Sequence, residues 1–178
     1  MKKKWFLWIS ALLLITAGLS SCSSSDDEND NSNLRTNRLQ ISNSVKGNTR
    51  IYTVPDSKFY IDRMPSDKGP GFIFHCDIKE SPDISVLIIR IIGIKPDIDA
   101  FQVGETFQLN QFNASLMPIE ECVTTPAQFR ATKGSIKLVD KKKSHDKDVL
   151  TFQINNLIFE QGYAVTGAVD FEYAEVPQ

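Results

Sequence analysis

The stretch from Tyr163 to Tyr173 constrains the fold more than any other, because it alternates with a period of two along its whole length. Tyr163, Val165, Gly167, Val169, Phe171 and Tyr173 fall on one side, and Ala164, Thr166, Ala168, Asp170 and Glu172 on the other. Successive side chains of a strand point to opposite faces, so one side is core and the other solvent. The period recurs in Leu150, Phe152 and Ile154 against Thr151, Gln153 and Asn155, and in Phe72, Phe74, Cys76 and Ile78 against Ile73, His75, Asp77 and Lys79. That phase points Cys76 inward and His75 outward. Past the N-terminal apolar run no segment shows a convincing helical period. The expectation is all-β: a single antiparallel β-sandwich, or an up-and-down, calycin-like barrel, of about 8–10 strands.

Turn residues divide the chain further. Gln161-Gly162 lets the last two strands pair as a hairpin, and Asn155-Asn156 marks a bulge or register change before Leu157 and Phe159. Residues 50–54 and 58–61 read as strands broken at Pro55, and Met64 to Gly71, with Pro65, Gly69 and Pro70, as a loop. A turn and strand follow at Val103–Leu109, another strand at Phe112–Leu116, and a longer loop at Met117–Pro126. Gly134–Val139 is a short strand, and the charged run Lys141–Asp148 reads as a solvated hairpin tip in which Asp146 and Asp148 offset half of the lysines.

Residues 84–94 depart from simple alternation. Leu87, Ile89 and Ile91 are matched across the strand by Val86, Ile88, Ile92 and Ile94, which predicts a central strand covered on both sides. Arg90 then falls on an apolar face in mid-strand, where an unpaired guanidinium is costly. It either anchors an anionic ligand in a cavity, pairs with a structural carboxylate, or snorkels to the sheet rim.

The N-terminal segment addresses the chain. Lys2, Lys3 and Lys4, a short apolar run from Trp5 to Leu19, and the sequence Leu19-Ser20-Ser21-Cys22 follow the grammar of a bacterial secretory signal. The cysteine after Leu-Ser-Ser resembles the lipobox of bacterial lipoproteins, and the resemblance implies cleavage before Cys22 and acylation of it. The apolar run is also shorter than the roughly 20 residues a spanning helix needs. Ser25-Asp26-Asp27-Glu28, directly beyond, resembles the acidic export signal that carries lipoproteins of the Bacteroidota to the cell surface. What the resemblance implies is a protein anchored in the outer membrane by its N-terminal lipid and facing the cell exterior. Residues 1–21 are then the leader, 22–37 an acylated cysteine and a flexible Ser/Asn/Asp tether, and 38–178 one all-β domain. The last part of the chain, from the turn at Gly104 onward, also resembles small β-rich lipoproteins of gut Bacteroidota, a group with no established activity to transfer.

Loss of the leader removes three lysines from a chain of formal charge −2, and the more acidic body argues against nucleic acid as a partner. The chain shows no histidine or cysteine pairs at metal-ligand spacing, no phosphate loop and no nucleophile elbow. No metal, no cofactor and no catalytic residues are therefore assigned, and the chain is read as a non-enzyme. Asp97-Ile98-Asp99 lacks the further oxygen ligands of a calcium loop. Cys76 and Cys122 form either one disulfide or two buried thiols. Both tryptophans lie in the leader, so Tyr52, Tyr60 and Tyr163, together with Arg90, are the side chains available to hold a ligand. The resulting expectation is a binding or accessory module that captures a ligand or glycan, or docks to an outer-membrane partner. A structural subunit of a surface assembly is the alternative, and a secreted inhibitor or enzyme a third.

Overall fold

The computed structural model describes residues 36–62, 69–119 and 128–175. The terminal hairpin forms as its alternation requires. A long strand, Lys147–Phe159, is joined by one 3₁₀ turn, Glu160–Gly162, to the last strand, Tyr163–Tyr173. Numbered in chain order, the strands are β1 (Arg38–Asn43), β2 (Asn48–Thr53), β3 (Ser57–Asp62), β4 (Gly71–Asp77), β5 (Ile84–Ile92), β6 (Thr106–Gln108), β7 (Phe112–Pro118), β8 (Phe129–Ser144), β9 (Lys147–Phe159) and β10 (Tyr163–Tyr173).

Seven of these close a barrel in the order β3, β4, β5, β7, β8, β9, β10. Each neighbour in that ring is antiparallel to the next, as up-and-down connections dictate. An odd number of alternating strands brings the first and last into the same direction, so the ring can close only in parallel. It does: β10 meets β3 in parallel, through the pairs Glu172–Lys58 and Tyr173–Phe59, and Ala174 N donates to Phe59 O at 2.9 Å. The rest of that edge of β10 is taken by β1, which pairs with it from Arg38–Ala168 to Asn43–Tyr163 and carries β2 on its far side. The fold class expected from the sequence is therefore the one found, in its barrel form, with the β1–β2 hairpin as a flange.

Irregularities fall where the strands must bend. Asn156 adopts φ 49°, and the partner numbering of β9 skips there on both sides, which is the expected bulge. Gly167 faces β1 with φ 153°, and a Cβ on it would lie 2.2 Å from Arg38 O, so only glycine lets three strands meet at that point. Gly134, φ 112°, allows the same close approach of β8 to Asn156.

Phenylalanine fills the interior. Phe59, Phe72, Phe74, Phe101, Phe107, Phe152 and Phe171 are fully buried. Phe74 is the hub, with ring centroids 4.9 Å from Phe152, 5.3 Å from Phe171, 5.5 Å from Phe59 and 6.3 Å from Phe101. Phe101 comes from the β5–β6 loop, which folds over one end of the barrel. Its anchor is Lys95, whose side chain is only 12% exposed: Nζ lies 2.6 Å from Glu105 Oε1, donates to Ala100 O at 3.0 Å, and sits 5.7 Å from the rings of Phe101 and Phe107. Lys141 Nζ holds the same loop by donating to Ile98 O at 3.0 Å. Asp97 Oδ1 accepts from Ala100 N at 3.0 Å and Asp99 lies 3.4 Å from Lys141 Nζ, so both carboxylates serve the loop itself.

Three sequence expectations are corrected. Residues 84–92 form β5, but only its inner face is fully covered: Ile84, Leu87, Ile89 and Ile91 are buried, whereas Ile92 is 44% exposed and Arg90 points to solvent. Among the described residues no α-helix lies over the outer face of the barrel, so apolarity on both faces did not mean burial on both. Arg90 accordingly bears no desolvation cost. The charged run Lys141–Asp148 is the expected hairpin tip, but the strands reach further into it than the short strand Gly134–Val139 implied: β8 and β9 continue to a two-residue turn at His145-Asp146, φ 51° and 65°. Both positive values are those of a type I′ hairpin. The expected loops at 64–71 and 117–126 lie largely outside the described residues, as do Cys122, Cys22 and the export motif.

Replacing Phe74 by Ala empties the centre of the aromatic cluster and is expected to cost about 3–5 kcal/mol, against under about 1.5 for Leu. Urea unfolding followed by far-UV circular dichroism measures both. Gly167→Ala is expected to destabilise by about 2 kcal/mol or more, through overlap with Arg38 O rather than lost packing.

Candidate functional site

Among the described residues the barrel interior is packed with phenylalanine, and hollows open on its outside. One of them lies along β2. That strand pairs with β1 and with no other described strand, and its residues are exposed except for half-buried Tyr52. A hollow of about 620 Å³ is lined by Arg50, Ile51, Tyr52, Thr53 and Pro55 on one side and by Lys79 and Glu80 on the other. Alternate residues of a strand face opposite ways, so a hollow lined by four consecutive ones must run along the strand's edge. Its far wall is the β4–β5 turn, residues 78–83, tied to the β1–β2 turn by Lys46 Nζ and Asp83 Oδ1 at 2.6 Å.

The two faces of β2 differ chemically. Arg50 and Tyr52 stand opposite Ile41 and Leu39, on the side of the barrel core, and Ile51 stands opposite Gln40 on the outer side. Ile51 is 67% exposed, an unusual position for a large aliphatic at the centre of an edge strand. Arg50 makes no ion pair among the described residues, and Lys79 has only an exposed contact with Asp56 at 3.4 Å. The groove thus combines a free hydrogen-bonding edge, one apolar and one aromatic side chain, and two cations beside Glu80.

Of the four side chains singled out in the sequence, Tyr52 is in this groove. Tyr60 and Arg90 share one outward row, Tyr60–Ile73–Arg90–Asn113, across β3, β4, β5 and β7. Tyr163 is buried and stacks on Phe129, centroids 5.5 Å apart, beside a smaller hollow lined by Asn43 and Asn48. The four are therefore not one site. Arg50 and Lys79 were missed because nothing local in Asn48–Thr53 distinguishes an edge strand from an inner one. The one available signal was Ile51 standing alone between polar neighbours.

A second polar hollow opens where β10 passes from β1 to β3. Its groups satisfy one another: Asp170 N donates to Asn37 Oδ1 at 2.9 Å, Thr151 Oγ1 donates to Asp170 Oδ1 at 2.6 Å, and Lys142 Nζ lies 3.7 Å from Asp170 Oδ2. His75 Nε2 lies 3.0 Å from Asp77 Oδ1 on the outer face of β4. Among the described residues no group of three or more His, Cys, Asp or Glu could hold a metal ion.

The fold and groove define a filled, seven-strand barrel with an external flange. In comparisons with protein-family models, curated proteins and solved structures, no match was found.

Cys76 is a free, buried thiol, opposite Ser57 on β3, whose Oγ is buried without a partner of hydrogen-bond geometry. Burial pushes the thiol up to about 12 from 9.0, more than the Ser57 hydroxyl beside it lowers it. The folded state then keeps a proton that the unfolded chain gives up. This contribution to stability is intact below about pH 9 and falls as pH rises toward 12, at up to about 1.4 kcal/mol per pH unit. Cys76→Ala is expected to flatten that decline, measured by urea unfolding between pH 8.5 and about 10.5 against the parent. A thiol reagent at pH 8 is expected to label Cys76 only after unfolding.

Proposed function

We propose that this protein is a lipid-anchored module of the bacterial cell surface that binds a partner or ligand through the external groove beside β2. The observation that carries the reading is the contrast between an interior packed with aromatic rings and an edge strand that, among the described residues, is left open, with Ile51 exposed and Arg50 in no ion pair. An enzyme of this size needs a cleft with converging acids, bases or nucleophiles; the groove offers cations, an aromatic ring and backbone groups, which suit recognition. The address rests on the sequence: Cys22 as the acylated residue, and Ser25, Asp26, Asp27 and Glu28 as the export motif. Anchored by two or more acyl chains, the domain stays on the membrane with its tether free to present it. Reading the chain as a structural subunit of a surface assembly draws support from Ile92 and Ile94, exposed at the outer end of β5.

A photoreactive residue at position 51, introduced into the full chain in its own cells, is expected to crosslink to a discrete partner, while the same residue at exposed Val139 on β8 gives none. Equal labelling from the two positions, or none from position 51, would remove the groove from the reading. Cys22→Ala is expected to release the chain from the membrane fraction, and alanine at Asp26, Asp27 and Glu28 to leave it membrane-bound but shielded from protease added to intact cells.

A further inference from the structure

We infer that the occupant of the groove is an extended, acidic polypeptide segment of another protein, which adds to the barrel as a strand along the free edge of β2. The inference rests on the groove reading above and names the partner's chemistry. Three observations converge on it. First, β2 has a six-residue edge and, among the described residues, one neighbouring strand. Natural edge strands are protected by bulges, prolines, inward charges or covering loops; β2 has no proline or bulge, its one core-side charge, Arg50, is exposed, and its register with β1 is unbroken from Arg38–Thr53 to Asn43–Asn48.

Second, the hollow lies on that edge rather than on a sheet face, since four consecutive residues line it. A strand adding there needs a lane about 4.8 Å from β2, and its main chain supplies the hydrogen bonds that β2 lacks on that side.

Third, the side chains ask for a pattern. An added strand presents alternate residues to the two faces of β2. One set meets Arg50 and Tyr52, with Lys79 lining the same groove, and the other meets Ile51. Charge complementarity therefore selects acidic residues at every second position and apolar residues between them. Among the described residues Arg50 has no ion pair and Lys79 one exposed contact with Asp56; with Glu80 also on the lining, Arg50 and Lys79 leave a net charge of one positive unit along it to be matched.

The test uses the full chain in detergent and fluorescence anisotropy of three labelled short peptides: one alternating glutamate and valine, one alternating lysine and valine, and the glutamate-valine peptide methylated on alternate backbone nitrogens. The first is expected to bind at least about tenfold more tightly than the second, and methylation along the paired edge to cost at least about tenfold, because main-chain hydrogen bonds carry strand addition. The double variant Arg50→Glu/Lys79→Glu, both at exposed positions, is expected to reverse the preference between the charged peptides. Ile51→Pro is expected to abolish binding of all three, with the barrel core intact by near-UV circular dichroism. Binding unaffected by methylation, or by the charge reversal, would overturn the inference. So would failure of all three peptides to bind; if position 51 still crosslinked in cells, the groove would stand as a site for a different occupant. A dimer in sedimentation velocity that Ile51→Pro dissolves would also overturn it, by giving the edge to a second copy.

Discussion

The parallel seam between β10 and β3 is the constraint on which the rest depends. Up-and-down connectivity with seven strands in the ring leaves no antiparallel way to close it, and the parallel pairing spans only Glu172–Lys58 and Tyr173–Phe59. Two residue pairs are a weak hydrogen-bonded contact, and packing supplements them. Phe59 lies 5.4 Å from the ring of Tyr173 and 5.5 Å from that of Phe74, so the closing strands are held together mainly through the core they enclose. The short seam also explains the flange. β10 is longer than its contact with β3, and the unused length of that edge is what β1 pairs with, at Gly167 closely enough that no side chain fits.

That arrangement also fills the interior. A barrel that encloses a ligand needs a core left partly empty; here the β5–β6 loop does the opposite and drives Phe101 into one end, fastened by Lys95 and Lys141. The lysine that is most buried among the ion-paired cations thus serves packing and loop order. Cys76 and Ser57, also buried, have no access to solvent chemistry. Among the described residues, bonding capacity left open to the outside includes the edge of the flange, with Arg50 on it and Lys79 across the groove from it.

Much of this was legible in the sequence, and the failures share a cause. Period two is a property of one strand and its two faces, so Tyr163–Tyr173, the inward turn of Cys76 and the break at Asn155-Asn156 could be read from neighbouring residues alone. Which strands lie side by side is a property of distant parts of the chain. Ile84–Ile94 read as doubly covered because apolarity reports what a face tolerates and not what lies over it. Arg90 followed that error outward, and Arg50 escaped notice because the free edge of β2 exists only once β10 has chosen β1 as its neighbour. The lysine run at 141–148 read as a hairpin tip, and its composition hid how far the strands extend into it: pairing to β9 and anchors at Ile98 O and Asp170 keep Lys141–Ser144 in register.

β10 comes last of the ten strands, yet it is bordered by β9, β1 and β3. A chain made from its N-terminus therefore emerges with its first hairpin and its third strand waiting for a neighbour that does not yet exist, and most of its contacts are non-local. Until β10 arrives the barrel is an open, curled sheet with a phenylalanine-lined face. Such a chain holds off final folding until its last strand has been made, and until then the phenylalanine-lined face stays open to water.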